Sequence, residues 1–344
     1  MGTFIFDELT GLPTILATNR AKRVDQTGAV GKGDKNGDKG AAGGEKVDKM
    51  KMFSKGYEHM TPPTLYQDAD DWNVRVFDNK YPLVDDHEIV VHSPYVDKDI
   101  SNLPVEQVCR IIRAYLNRVS YYGSQDKEVL IFNNRGGEAG ASIVHPHSQI
   151  VALKGFPGIL EKEKESAIKY FNEHESCYWC DFVHEEVVAK ERVVFESSHF
   201  VLLVPPACRW SYEMIMIPKN HKPNFGFIDE MEISDLAMMM KATLGAYDNL
   251  FDVPDRNFWV HTMRYEPYHW HIGFLAHLKE LGGLELGAGI WVSDKATPEA
   301  AAKELGEEAK KVYEACKHED GNGDAVGSGG DVGERAGEAI SSMV

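Results

Sequence analysis

Hydrophobic and polar positions along this chain fall into two similar runs, separated by a long charged segment at residues 159–175 that reads as a helix. In the first run, residues 73–77 and 87–93 have the pattern of strands. Residues 105–122 repeat apolar positions at helical spacing, and Pro104 is a suitable opener. Residues 128–133 and 142–153 then read as strands flanking the turn Arg135-Gly136-Gly137-Glu138-Ala139-Gly140. The second run repeats the order. Strands are predicted at 192–195, 200–204 and 213–217, an apolar-rich helix at 233–251, strands at 257–264, 269–278 and 287–293, and a closing Ala/Glu/Lys-rich helix at 297–317. Strands, one helix, then more strands, twice over, predict an α+β fold: two related halves, each an antiparallel sheet with packed helices. Short turns between adjacent strands argue against an alternating parallel fold.

The polar segments set the expected boundaries. Residues 25–48 are Gly-, Lys- and Asp-rich and read as a flexible insertion; residues 319–344 are Gly- and acid-rich and read as a disordered tail. The predicted division is an N-terminal half over 1–155 and a C-terminal half over 156–318. With 344 residues, 43% of them hydrophobic and 26% charged, the chain can bury a full core. The net charge of -17 argues against broad binding to nucleic acid or anionic membranes. No apolar run approaches the roughly 20 residues of a bilayer span, and the N-terminus has no signal-peptide pattern. Five cysteines, an odd and sparse set, suit a reducing compartment, so a cytoplasmic location is expected.

Candidate chemistry concentrates in His145-Pro146-His147-Ser148-Gln149. On a strand, His145, His147 and Gln149 would share one face. Neutral imidazole is a good nucleophile near pH 7, and an N-phosphoryl imidazole passes its group on readily. Gln149 could donate to a phosphoryl oxygen as charge builds, and Asn134 with the turn ending at Gly140 could bring backbone N–H groups to a phosphate. A metal site competes with this reading, because H-x-H also suits zinc, and the motif by itself leaves both open.

A second constellation begins at Cys177-Tyr178-Trp179-Cys180. A C-x-x-C pair is either redox-active or half a zinc site. The redox reading wants a helix opening at the first cysteine, whereas here a predicted helix precedes it. With His221 and His269 the pair would make a closed Cys2His2 site of structural type. On spacing alone, His261 and His271 are rival ligands.

Taken in order, several motifs together resemble the galactose-1-phosphate uridylyltransferase family. That family is the long branch of the histidine-triad superfamily, and the likeness is nearest to its ADP-glucose phosphorylase-like members. The motifs are Arg20-Ala21-Lys22-Arg23, Asn79-Lys80-Tyr81-Pro82, Asn134 to Gln149, Cys177-x-x-Cys180, Ile217-Pro218-Lys219-Asn220-His221, His269-Trp270-His271 and Gly282-Gly283-Leu284-Glu285. The resemblance covers about residues 5–315 and implies two histidine-triad-like halves related by a pseudo-twofold. It implies that His147 is the covalent nucleophile and that Gln149 contacts the phosphate. It also implies that Arg20, Arg23, Asn79, Asn134, Gly140, Ala141, Ser142 and His145 serve the nucleotide, and Gly282, Gly283 and Glu285 the sugar side. Cys177, Cys180, His221 and His269 are implied as zinc ligands.

The implied activity is transfer of UMP between UDP-hexose and hexose 1-phosphate. The alternatives are a nucleotide-sugar phosphorylase using inorganic phosphate, or a nucleotide-binding protein without turnover. The expected partners are thus a nucleotide sugar and a hexose 1-phosphate or phosphate; relatives are commonly dimers, which leaves a homodimer open. Many relatives carry a first-half metal site as well. Here its cysteine positions align with Lys51 and Ser54 and its later histidine with Val96, so that site is expected to be lost, leaving His145 to support His147. Gly273 stands where relatives place a larger polar residue near the sugar.

Overall fold

Period-2 alternation puts one face of each strand against helices, and the helical stripes supply the matching surface. The computed structural model describes residues 2–23, 25–26 and 51–321; the expectations for the 25–48 insertion and the 319–344 tail fall almost wholly outside them. The first half contains β3 (Thr64–Gln67), β4 (Arg75–Asp78), β5 (Asp86–Val91), α1 (Val105–Gly123), β6 (Glu128–Arg135) and β7 (His147–Leu153). After α2 (Ile159–His174) and α3 (Tyr178–Ala189), the second half repeats the series. It contains β8 (Val193–Glu196), β9 (Phe200–Leu203), β10 (Met214–Pro218), α4 (Glu230–Phe251), β11 (Arg256–His261) and β12 (His271–Ala276). The short α5 (Gly283–Ala288) and the closing α6 (Pro298–Gly321) follow. A separate N-terminal hairpin pairs β1 (Thr3–Phe6) with β2 (Pro13–Leu16).

The ten remaining strands form one antiparallel sheet in the order β3-β4-β5-β7-β6-β11-β12-β10-β9-β8. From its centre outward the two sides match strand for strand, as a pseudo-twofold between β6 and β11 requires. The expected two-half α+β fold is therefore what forms, with the halves fused through paired strands. That seam runs in register from Arg256 opposite Arg135 to His261 opposite Leu130.

One side of the sheet carries the main core. Val108, Ile111, Ile112 and Tyr115 of α1 and Leu236, Met239, Met240 and Leu244 of α4 pack with Ile131, Ile150, Phe258 and Ile272 from the central strands. Leu305, Ala309 and Tyr313 of α6 join the same cluster. On the opposite side of the first half lies a small cluster of Phe53, Trp72, Phe77, Ile89 and Val91, beside the candidate site, while Leu130 of β6 packs with Leu160, Met263 and Tyr268.

Charge also crosses the seam. Arg256 of β11 is 1% exposed; it donates to Asp99 of the first half at 2.7 Å and also pairs with Asp248 of α4. Arg135 of β6 meets the same Asp99 carboxylate at 2.9 Å. Burial alone would raise the pKa of Asp99, but Arg256 and Arg135 hold it below the ordinary carboxylate value.

Several sequence expectations need correction. The strand expected at 142–153 starts only at His147, because residues 142–146 approach it as an irregular segment ending at Pro146. β7 is an interior strand, paired with both β5 and β6. The strand expected at 287–293 does not form. β12 is already paired on both sides, and the chain instead turns into α5, where the Gly282 N–H donates to the Glu285 carboxylate at 3.1 Å. Cys177 does precede a helix, α3, which the sequence reading missed. α4 begins before residue 233, at Glu230, because Asp229 and Glu232 form a capping box.

Replacing Arg256 with Leu should leave the buried Asp99 with Arg135 but without Arg256, and the half-buried Asp248 without its arginine. The expected loss is about 3–5 kcal/mol of unfolding free energy, read by chemical denaturation; an unchanged midpoint would contradict the role of this ion network.

Candidate active site and metal centre

β7 positions the central group by alternation. Ser148, Ile150 and Ala152 face the helices, where Ser148 Oγ bonds to His92 Nε2 at 2.8 Å and to the Tyr115 hydroxyl at 2.6 Å. His147 and Gln149 face the other way, into a pocket. Arg20, Arg23, Asn79, Gly140, Ala141 and Ser142 line that same pocket, so eight of the sequence-nominated residues meet there.

The His147 ring is 7% exposed, and its Nδ1 lies 2.7 Å from the His145 carbonyl oxygen. A carbonyl only accepts, so Nδ1 carries the proton and Nε2 keeps its lone pair. Burial pushes the pKa of His147 down to about 4, against the raising effect of that hydrogen bond. The ring is therefore neutral near pH 7, with Nε2 unprotonated. Phe53 packs edge-on against it at 5.3 Å between centroids.

His145 sits off the ladder and lines a neighbouring cavity with Asn134. Its Nε2–H donates to the Ser93 carbonyl at 2.8 Å, and its Nδ1 lies 3.5 Å from Ser54 Oγ. Ser54 thus meets His145 where a thiolate would be needed for a metal. Val96 lines the neighbouring cavity and supplies no donor side chain, and Lys51 extends its ammonium over the Tyr57 ring.

The glycine turn is held from the second half. Gly136 and Gly140 both have φ above +80°, a backbone state that favours glycine. The Asp255 carboxylate accepts from the Glu138 N–H at 2.7 Å, and Asn257 Nδ2 donates to Asn134 Oδ1 at 2.8 Å and to the Ala139 carbonyl at 3.0 Å. His277 Nε2 lies 2.6 Å from Asn257 Oδ1 and fixes that amide. Gln26 closes the far side: its N–H donates to the Ser142 carbonyl and its Oε1 accepts from the Val144 N–H.

Gly282, Gly283 and Glu285 are not brought to this pocket within one chain. Glu285 instead caps α5 and binds Lys279 at 3.2 Å. Gly273 is also elsewhere. It lies under the Trp259 indole, which would be 2.5 Å from any added Cβ. Sequence reading missed His87, Phe53 and Phe77. His87 faces the same side of β5 as Ile89, which opposes Gln149, but only the β5–β7 register reveals that neighbourhood.

In the second half, the donor atoms of Cys177, Cys180, His221 and His269 all lie within 4.8 Å of one another. Cys180 Sγ is 3.4 Å from His221 Nδ1 and 3.6 Å from His269 Nδ1, and Cys177 Sγ is 3.8 Å from His269 Nδ1. A tetrahedral ion with bonds of about 2.0–2.3 Å needs donor separations of this size. His221 Nε2 is 2.8 Å from the Glu266 carbonyl, which fixes its proton there and frees Nδ1. A helix does open at Cys177, so the argument against a redox pair from the preceding helix does not hold. What favours a metal is the two imidazoles facing the sulfurs.

His261 and His271, the rival ligands, gather separately around Glu163. Glu163 Oε2 is bonded to His261 Nδ1 and to the Tyr268 hydroxyl, both at 2.9 Å, and lies 3.9 Å from His271 Nε2. Burial would raise the Glu163 pKa, but the hydrogen bond and charge of His261, with His271 and Tyr268, bring it to about 2. This cluster too offers three metal-ligating groups.

Comparison with known proteins gives the family of the chain. The profile of the galactose-1-phosphate uridyl transferase N-terminal domain matches residues 43–157, and that of the C-terminal domain matches residues 163–279. An ADP-glucose phosphorylase of Arabidopsis thaliana is 28% identical over 289 residues, covering 74% of this chain and 81% of that protein. A galactose-1-phosphate uridylyltransferase of Thermotoga maritima is 29% identical over 238 residues, covering 64% and 73%. The structure of an Arabidopsis thaliana ADP-glucose phosphorylase with bound ADP-glucose superposes with a TM-score of 0.69 at 26% identity, covering 89% of this chain and 99% of that one. Both family domains in order, on a two-half fold shared with those structures, mean that this chain belongs to the galactose-1-phosphate uridylyltransferase family.

Proposed function

We propose that this chain is a nucleotidyltransferase that carries a nucleoside monophosphate on His147, moving UMP between UDP-hexose and hexose 1-phosphate. The observation that carries the reading is the His147 Nδ1–H bond to the His145 carbonyl, which leaves a neutral Nε2 beside Gln149 in a pocket lined by two arginines. Nε2 attacks the α-phosphorus, an N–P bond forms, and the bond to the β-phosphate oxygen breaks with release of hexose 1-phosphate. A phosphate oxygen of the acceptor then attacks the same phosphorus and returns the electron pair to Nε2. Arg20 and Arg23 offset phosphate charge, and the Gln149 amide donates to a non-bridging oxygen. Asn79 and the Gly140–Ser142 segment border the nucleotide.

A second reading exchanges the acceptor for inorganic phosphate. It is favoured by the likeness to ADP-glucose phosphorylase, which extends over 74% of this chain. Under that reading adenine would replace uracil. Turnover of UDP-glucose with galactose 1-phosphate against ADP-glucose with phosphate separates the two.

Zinc fits the donor set of Cys177, Cys180, His221 and His269. Four protein ligands leave no open position, so the ion would tie α3 to the segment before β12 and take no part in transfer. His145 would act as the support of His147 through its carbonyl and not as a ligand. Gly282, Gly283 and Glu285 would serve the sugar side only if a second copy brought them to the pocket, which makes a homodimer part of this reading.

Three outcomes are expected. Incubation with UDP-glucose should add one uridylyl group to the protein by mass spectrometry. His147→Gly should abolish that adduct, and Gln149→Ala should slow its formation by about 10²–10³-fold. No labelling by any nucleotide sugar would end the proposal. Single-turnover adduct formation should stay flat from about pH 8 down to about pH 5.5 and fall only as pH nears 4, because His147 is neutral above its depressed pKa. Loss of half the rate near pH 6.5, the ordinary histidine value, would contradict this. Purified protein should hold zinc at the Cys2His2 site, and Cys177→Ser should cost on the order of 3 kcal/mol or more in unfolding free energy while changing the adduct rate much less.

A further inference from the structure

A glutamine can serve a phosphoryl oxygen only if its amide nitrogen, and not its oxygen, faces the pocket. The amide is close to symmetric in shape, so the choice must come from its surroundings. Those surroundings are set by His87. The Leu83 N–H points at His87 Nδ1 at 2.9 Å. A backbone N–H can only donate, so Nδ1 accepts and the ring proton sits on Nε2. Nε2 lies 3.0 Å from Gln149 Oε1, which therefore accepts. The NH2 group of Gln149 is left for the pocket. His87 is 1% exposed, and burial pushes its pKa down to about 4, so the ring stays in this single neutral form near pH 7.

Asn79 is set by the same logic. Its Oδ1 accepts from the Tyr81 N–H at 2.9 Å, which puts its Nδ2 3.2 Å from His87 Nε2. Two donors cannot satisfy each other, so the Asn79 NH2 also remains available to a ligand. Both Asn79 and Gln149 line the pocket, whereas His87 lies behind them and does not.

We propose that His87 is a positioning residue for transfer. Its Nε2–H holds the Gln149 oxygen and so turns the Gln149 NH2 toward the phosphoryl group on His147. The proposal rests on the nucleotidyl-transfer reading for its effect on rate, but the hydrogen bond itself does not.

The test uses His87→Leu, which removes the donor, and His87→Gln, whose amide nitrogen can stand near Nε2. Each is made in the wild-type chain and in Gln149→Ala. Single-turnover adduct formation with UDP-glucose and ADP-glucose should fall about 10- to 100-fold in His87→Leu, with recovery of most of the rate in His87→Gln. In the Gln149→Ala background, His87→Leu should add less than about 2-fold, because its target is gone. An equal fall in both backgrounds would reduce His87 to a structural role and overturn the proposal. Nitrogen-15 NMR of the wild-type chain should show His87 protonated on Nε2; protonation on Nδ1 would overturn it independently of folding defects in the variants. If no nucleotide sugar gives an adduct with the wild-type chain, the transfer reading fails, and the NMR result still decides whether His87 orients Gln149.

Discussion

The pairing of β6 with β11 is the constraint on which the rest depends. Two five-stranded sheets become one because Arg135 to Leu130 lie antiparallel to Arg256 to His261. Across that joined sheet α1 and α4 pack side by side on one face and share a single core. The pocket lies on the other side of the first half, beside the cluster of Phe53, Phe77 and Ile89. The seam also brings Asp255 and Asn257, which begin β11 and its approach, beside the glycine turn that ends β6. The turn next to His147 is thus shaped by the half that does not carry that residue. The Arg256–Asp99–Arg135 group adds charge pairing to the same junction.

Within the pocket, backbone groups set the chemistry of the side chains. A carbonyl fixes the proton of His147, and an N–H fixes the opposite tautomer of His87. These partners cannot rotate or ionise, so each ring has one usable arrangement. Burial keeps both rings neutral. In the transfer reading proposed above, His147 would be the neutral nucleophile and Gln149 the oriented donor on one strand face, the groups that in-line transfer to phosphorus needs.

The two halves use one motif differently. His271 repeats the arrangement of His147, with Nδ1 3.1 Å from the His269 carbonyl. Two residues on, Gly273 replaces the amide of Gln149, and Trp259 fills the space above it. Glu163 stands before His271 Nε2 where the first half has its pocket. His269 meanwhile turns to the cysteine sulfurs. The second half thus gathers the Cys177, Cys180, His221 and His269 donors and fills the position equivalent to the pocket, whereas the first half keeps the pocket beside His147.

How much of this was readable beforehand differs from element to element. Long periodic segments declared themselves: the helices of the main core, the central strands, the doubled order, and the motifs around His147 and Cys177. Local chemistry sufficed there, because a repeated stripe of apolar residues or a close-set group of ligands is written in consecutive positions. Contacts between segments were not so written. The sequence placed His145 and His147 on one strand face, but Pro146 starts the strand at His147 and His145 supports it from outside the ladder. It left His261 and His271 as rival zinc ligands, and only folding gathered them around Glu163, about a hundred residues away in the chain. It showed a strand at His87 without its neighbour Gln149. Residue types and their spacing along the chain determined which groups were available for transfer and for metal binding. Strand register and burial, which depend on segments far apart in sequence, decided their partners, tautomers and charge.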